Sequence, residues 1–150
     1  MSAVNIAIHA LAMTFVIRIA RRMRERPIAG SSMFMIQVMI VTVMAITLAH
    51  LCEVVVWALA YGIVGAVPTA GSGSKIYFAF VNYTTLGYGD IVPVERWRLL
   101  GPMAALNGVL LIGWSTAVIF EVLRRSIALS AFDDKAPGER MSGDALPPKD

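Results

Sequence analysis

Three long apolar stretches divide the chain, and segments rich in charge, proline or glycine separate them. The apolar runs cover residues 3–20, 33–65 and 99–120. Because a helix rises 1.5 Å per residue, these runs would be about 27, 50 and 33 Å long, against roughly 30 Å for the hydrocarbon core of a bilayer. With their flanking residues they predict helices over 3–22, 33–66 and 99–124. The composition agrees, since 57% of the 150 residues are hydrophobic and the mean hydropathy is +0.69, as is typical of a membrane protein.

The first stretch leaves two interpretations open. It is near the lower length limit for a spanning helix, and Asn5 and His9 interrupt its apolar run. A helix lying at the membrane surface would show one polar face, which this segment lacks. A spanning helix is therefore favoured, and a surface-lying helix is the alternative.

A shorter apolar stretch, residues 75–84, precedes a glycine-containing segment. Ten residues of helix cannot cross a membrane. Gly87 and Gly89 tolerate φ > 0, so the backbone after this helix can reverse its direction at successive residues. Consecutive carbonyl oxygens can then face one axis, and stacked rings of such oxygens can replace the water shell of a potassium ion. The carbonyls concerned are those of Thr85, Leu86, Gly87 and Tyr88, with the Thr85 hydroxyl as the innermost ring.

The segment Thr85-Leu86-Gly87-Tyr88-Gly89-Asp90 resembles the selectivity filter of the potassium channel family, usually written T-V-G-Y-G-D. The one departure within the motif is Leu86 for valine, at a position that contributes its carbonyl while its side chain packs away. The resemblance covers roughly residues 74–125. Some relatives pair the filter aspartate with a glutamate nine positions earlier, where this chain has Val81, so their inactivation behaviour cannot be carried over.

The resemblance implies a small, bacterial-type channel with one pore loop per chain. The expected fold is an all-α membrane protein with two pore-forming transmembrane helices, a re-entrant pore helix and filter, and an additional N-terminal transmembrane helix. The predicted parts of the pore domain (residues 33–125) are an outer helix at 33–66, a pore helix at 75–84, the filter at 85–90 and an inner helix at 99–124.

One pore loop per chain requires four chains, because filter backbone exposed to lipid would lose its hydrogen bonds. We therefore expect a homotetramer that conducts K⁺ passively and selectively, with membrane lipid and K⁺ as its only other partners and no nucleic acid. The sequence shows no nucleophile–base pair, metal-ligand cluster or phosphate loop, so neither an enzyme nor a cofactor is expected. A non-selective cation channel and a non-conducting regulatory subunit of a larger channel are the alternatives.

Two arginine clusters predict the orientation of the chain. One covers residues 18–26 and the other is Arg124 and Arg125. Both are expected on the cytoplasmic side by the positive-inside rule, which places the filter outside a multi-pass protein of the plasma or inner membrane. The remaining residues, 126–150, are polar and contain prolines and glycines. They predict a cytoplasmic tail that is largely disordered after a short helical extension.

Two ionisable residues of the second helix are candidates for supporting the filter. His50 and Glu53 lie three positions apart and share a helical face. An ionisable residue inside a membrane helix usually faces protein or water, so we expect this pair to bond the back of the pore helix, near Asn82 or Tyr83. A locally satisfied pair without influence on conduction is the alternative. The other predicted supporting residues are Phe78, Tyr83 and Thr84.

The inner helix carries candidates for gating and for the lining of the inner pore. Gly108 and Gly113 are possible hinges, and close helix packing with Ala104 and Ala105 is an equally good reading. Leu110, Ala117 and Glu121 fall on one helical face and are predicted to line the inner pore. Four Glu121 carboxylates would attract cations to the inner entrance, unless each is neutralised by Arg125 four positions on.

Overall fold

The computed structural model describes residues 1–24, 32–68 and 72–133, and most of them are helical. Four α-helices follow one another along the chain, with a short 3₁₀ turn at Glu95–Trp97 before the last. They are α1 (Ser2–Arg24), α2 (Ser32–Val64), α3 (Ser72–Tyr83) and α4 (Leu100–Asp133). Three segments are long and apolar enough to cross a membrane, namely Ser2–Arg22, Met33–Val64 and Glu95–Ala128, which agrees with the predicted all-α architecture.

The three long helices form one bundle. Helix α1 packs against both α2 and α4, and the short α3 packs between α2 and α4. The larger core cluster joins α2, α3 and α4, with Trp57, Tyr61 and Tyr83 almost completely buried. A second cluster joins α1 to α2 through Met13, Val16 and Ile46. The N-terminal helix is therefore an integral part of the bundle.

Helix α2 ends at a glycine with a left-handed backbone. Gly65 has φ = 62°, and the amide of Ala66 donates to the carbonyl of Tyr61 at 3.0 Å. This arrangement satisfies a carbonyl that the last turn of a helix leaves without a partner. The amide of Val94 then donates to the carbonyl of Ala66 at 2.9 Å, which closes the connection between α2 and α4 at one end of the bundle.

The arginines of α1 and α4 lie at the same end of the bundle. Arg21 and Arg125 both line a cavity of about 280 Å³ that is bounded by apolar residues of all three long helices, among them Val38 and Val122. The predicted common side of the two arginine clusters therefore fits the arrangement of the helices. The part of the first cluster at residues 25–26 lies outside the described residues.

The last helix continues beyond the predicted inner helix. We expected the inner helix to end at residue 124 and a short helical extension to precede a largely disordered tail, and α4 continues without a break to Asp133. The arginine pair marks where the chain turns polar, whereas the first helix-breaking residues after it are Pro137 and Gly138. The rest of the predicted disordered tail, 134–150, lies outside the described residues. The short helix also begins earlier than expected, at Ser72.

Candidate functional site

The predicted filter has an alternating backbone. Thr85, Gly87 and Gly89 have φ values of 62°, 56° and 76°, whereas Leu86 and Tyr88 between them do not adopt positive φ. For threonine this left-handed conformation costs roughly 1–2 kcal/mol. Outliers of this kind are concentrated at functional sites, where the surrounding structure holds them in place. The two glycines were expected to adopt this conformation, and Thr85 was not.

The amides of the filter are tied back to the end of α3. The Thr85 amide donates to the carbonyl of Asn82 at 2.9 Å, and those of Leu86 and Gly87 donate to the carbonyl of Val81 at 2.9 and 3.3 Å. Among the described residues, no N–H or O–H group donates to the carbonyl oxygens of residues 85–88. The amides of the first three filter residues are therefore engaged, whereas the carbonyls of residues 85–88 are available.

The outer end of the filter is fastened to α3 by a tyrosine. The Tyr77 hydroxyl donates to Oδ2 of Asp90 at 2.8 Å, and this hydrogen bond raises the pKa of the Tyr77 phenol. A cavity of about 190 Å³ separates α3 from the filter and is bordered by Phe78, Val81 and Gly87. Phe78, predicted to support the filter, thus lies behind it, with its ring edge-on to Tyr61 at 5.0 Å.

Glu53 is the centre of a buried polar cluster directly below the filter. Its carboxylate accepts from the Tyr83 hydroxyl and lies 2.9 Å from Nδ1 of His9 and 3.0 Å from Nδ1 of His50. The Tyr83 hydroxyl is also 2.8 Å from Nδ1 of His50. His9 and Glu53 are completely buried. The expected contact of His50 and Glu53 with α3 is therefore made through Tyr83, while the Asn82 amide instead donates to the carbonyl of Phe78.

Ser115 of α4 closes this cluster into a ring. Its Oγ lies 2.9 Å from Nε2 of His50 and 3.3 Å from Nε2 of His9. We call the set of five residues His9, His50, Glu53, Tyr83 and Ser115 the polar ring. It contains one or two side chains from each of the four helices. It therefore connects the N-terminal helix to Tyr83, which precedes Thr84 and the first filter residue, Thr85.

The polar ring contains a buried carboxyl group and no side chain with a fixed positive charge. Glu53 offers two oxygens to three neighbouring side chains, and Ser115 lies between the two imidazoles. Among the described residues, no lysine or arginine pairs with Glu53. A cation at this point would therefore meet oxygen and nitrogen donors and no fixed positive charge.

A second buried contact ties α1 to the same region. The Asn5 amide donates to Oδ1 of Asn107 at 2.9 Å and to the backbone carbonyl of Glu53 at 3.3 Å. The indole of Trp57 donates to the same Asn107 oxygen at 3.1 Å. Asn107 of α4 thus bonds to side chains of both α1 and α2. Asn5 and His9 were missed as partners of the pore region, and their four-residue spacing on an apolar helix is the only signal that could have found them.

Gly108 lies where α4 crosses the end of α3. A Cβ atom added there would overlap the carbonyl oxygen of Tyr83 and lie 2.9 Å from the carbonyl carbon. A Cβ atom at Gly113 would meet nothing within 4 Å. Of the two interpretations of Gly108, close packing is thus observed, with the backbone of Tyr83 on α3 as the partner of α4 at this point. Helix α4 is continuous through both glycines.

Of the predicted inner-pore residues of α4, Leu110 is largely exposed, whereas Ala117 and Glu121 border the cavity of about 280 Å³ that α4 shares with α1 and α2. Leu110 is 60% exposed, and Ala117 is exposed as well. Glu121, one turn further, accepts hydrogen bonds from Arg124 and Arg125. Its charge is therefore paired within its own helix, as expected if Arg125 neutralises it. Thr84, the last predicted supporting residue, donates its hydroxyl to the carbonyl of Phe80 at 2.9 Å.

These features define a multi-pass membrane protein with a short helix that leads into a segment of unpaired carbonyls. A family model described as ion channel matches residues 49–125, which is just over half of the chain. The chain belongs to this ion channel family. Neither a curated protein nor a solved structure was found to match. The family match includes Glu53, the filter and Gly108, whereas α1 with Asn5 and His9 lies before it.

Proposed function

We propose that this chain forms a potassium-selective channel and that four copies surround one pore. The observation that carries the proposal is the filter backbone, in which positive φ at residues 85, 87 and 89 accompanies unengaged carbonyls at residues 85–88. Carbonyl rings of this kind replace the hydration shell of K⁺. K⁺ would bind at the carbonyls of Thr85, Leu86, Gly87 and Tyr88.

Exposed groups around the filter support the assembly. Leu86 is 55% and Tyr88 67% exposed in the single chain. Non-helical backbone is tolerated at membrane depth only where protein or a water-filled pore surrounds it. Four chains around a common axis would cover these side chains and leave the carbonyls facing the ions. The exposed face of α4 would then line the inner pore.

The orientation follows from the arginines. With the ends of α1 and α4 that carry Arg21 and Arg125 on the cytoplasmic side, the filter opens to the outside and α1 crosses the membrane beside α2. The N-terminus then lies outside, and the C-terminus is cytoplasmic.

The decisive measurement is the reversal potential of the purified protein in a planar bilayer, with K⁺ on one side and Na⁺ on the other. We expect a strongly K⁺-selective value without any other subunit. A reversal potential near zero with clear currents would contradict selectivity and indicate a non-selective cation channel. No current under any condition would contradict independent conduction and favour a regulatory subunit.

A pair of glycine substitutions assigns selectivity to the filter. Gly87→Ala places a side chain on a left-handed residue of the filter, so we expect K⁺ selectivity to be lost. Gly65→Ala makes the same change at φ = 62° at the end of α2, outside the filter, at a similar backbone cost of roughly 1 kcal/mol. Equal reversal potentials in the two variants would show that the segment 85–90 does not select the ion.

The bond between Tyr77 and Asp90 is expected to maintain the conducting form of the filter. Tyr77→Phe removes the hydroxyl that donates to Asp90, which frees the outer end of the filter while the ring remains. We expect shorter single-channel openings with an unchanged reversal potential. Tyr61→Phe is the matched control, because it removes a hydroxyl that donates to the carbonyl of Leu100 at 3.2 Å, away from the filter. Similar open times in both variants and the unmodified channel would contradict a role for the bond.

A further inference from the structure

We propose that the polar ring is a binding site for a transition-metal dication such as Zn²⁺, held by His9, His50 and Glu53. One donor atom of each residue lies within 4.8 Å of the donor atoms of the other two. His9 and Glu53 are completely buried, and the side chain of His50 is 19% exposed. The donors come from two helices, α1 and α2, which a bound metal would clamp together.

The chemistry of the donors selects the class of ion. Two imidazoles and a carboxylate suit Zn²⁺ and neighbouring transition metals, whereas Mg²⁺ and Ca²⁺ prefer oxygen ligands alone. Zinc bonds of about 2.0–2.1 Å place donors that share one ion roughly 3.3 Å apart. The Nδ1 atoms of His9 and His50 lie 2.9 and 3.0 Å from Oε1 and Oε2 of Glu53, respectively, so each imidazole is already near the separation that a shared ion requires from one carboxylate oxygen.

The composition of the ring favours a cation. The carboxyl group of Glu53 is completely buried, and among the described residues no arginine or lysine pairs with it. A dication supplies positive charge at this point and takes over the carboxylate and imidazole lone pairs. Ser115 lies beside both imidazoles, where a hydroxyl can orient histidine ligands from outside the coordination sphere, as partners of metal-bound histidines commonly do.

The site is coupled to the filter through Tyr83. A metal bound to Glu53 competes with the Tyr83 hydroxyl for the same carboxylate oxygen. Tyr83 directly precedes Thr84 and Thr85, and its backbone carbonyl packs on Gly108. Zn²⁺ is therefore expected to weaken the support of the filter and to lower the K⁺ current. This last step rests on the proposed channel function, whereas metal binding itself does not.

The test measures Zn²⁺ binding to the purified full-length protein by competition with a chromophoric chelator. We expect one Zn²⁺ per chain and an affinity that falls at least about 100-fold in His9→Gln, since even the loss of an outer-sphere partner costs 10–100-fold. Ser115→Ala should weaken binding about 10-fold and serves as a second variant with a smaller structural change. Cys52→Ser is the control. It removes the one cysteine of the chain, a residue type that also binds zinc, at an exposed position of α2.

Two results would overturn the site. One is the absence of saturable binding, and the other is equal affinity in His9→Gln, Ser115→Ala and the unmodified protein. Currents are recorded in parallel with zinc chloride added. Binding that depends on His9 in a protein without K⁺ current would leave the metal site standing and contradict the channel. A K⁺-selective current with no Zn²⁺ binding would support the channel and contradict the metal site. Binding that leaves the current unchanged would refute the coupling through Tyr83.

Discussion

Gly108→Ala is expected to abolish K⁺ conduction and to destabilise the folded chain by about 3 kcal/mol or more. The added methyl group would overlap the Tyr83 carbonyl oxygen, and backbone atoms cannot move aside as a flexible side chain can. Helix α4 or the end of α3 would have to shift, and that shift would move the filter that follows Tyr83. Thermal unfolding in detergent and the reversal potential in bilayers measure the two parts of this prediction.

Gly113→Ala provides the matched control for Gly108→Ala. The same methyl group on the same helix meets nothing within 4 Å in the single chain, and alanine favours the helix by about 1 kcal/mol over glycine. We expect this variant to retain the unfolding temperature. If Gly108→Ala unfolds at the same temperature as Gly113→Ala and conducts normally, the contact between α4 and Tyr83 has no structural importance.

Glu53→Gln is expected to destabilise the protein by about 3 kcal/mol and to impair K⁺ selectivity. The carboxylate accepts from Tyr83 and lies against the two histidines, and it is completely buried. An amide offers one acceptor oxygen and sets an NH₂ donor against groups that themselves donate. Hydrogen bonds to a charged group contribute about 1.5–3 kcal/mol each, and a buried partner left unsatisfied costs about 1–3 kcal/mol. Unfolding, the fraction of tetramer and the reversal potential are the measurements.

Glu121→Gln is the same substitution at a site without this environment. Glu121 is partly exposed and paired with Arg124 and Arg125 on its own helix, so its loss should hardly affect unfolding or selectivity. If Glu53→Gln matches Glu121→Gln in stability, tetramer fraction and selectivity, the polar ring does not brace the filter. His50 and Glu53 would then form only a locally satisfied pair.

Much of the fold was predictable because its signals are local. Membrane length and hydrophobicity locate the three long helices, and the filter is a continuous segment whose glycines require positive φ. Gly65 marks the end of α2 for the same reason. The length of the helical extension after Arg124 was not predictable, because the change from apolar to charged residues marks only the end of the apolar run, whereas α4 continues to Asp133, shortly before Pro137.

The candidate site was only half predictable because its partners are distant in sequence. The helical spacing of His50 and Glu53 shows that they share a face, and the contact with Tyr83 follows from that face turning towards α3. Nothing local shows that His9, 44 residues before Glu53, completes the ring. Likewise, no pattern shows whether a glycine such as Gly108 bends a helix or admits a carbonyl, because that depends on which backbone crosses it.

The pairing of His9 with Glu53 also bears on the order in which the protein enters the membrane. Helices α1 and α2 are synthesised first, and an unpartnered carboxylate in the middle of a membrane helix costs roughly 3 kcal/mol on insertion. His9 and His50 are the two partners of Glu53 that exist before α3 and α4 are made. An α1–α2 hairpin can therefore carry the buried acid into the bilayer early, and the N-terminal helix acts as an internal insertion partner for the pore domain.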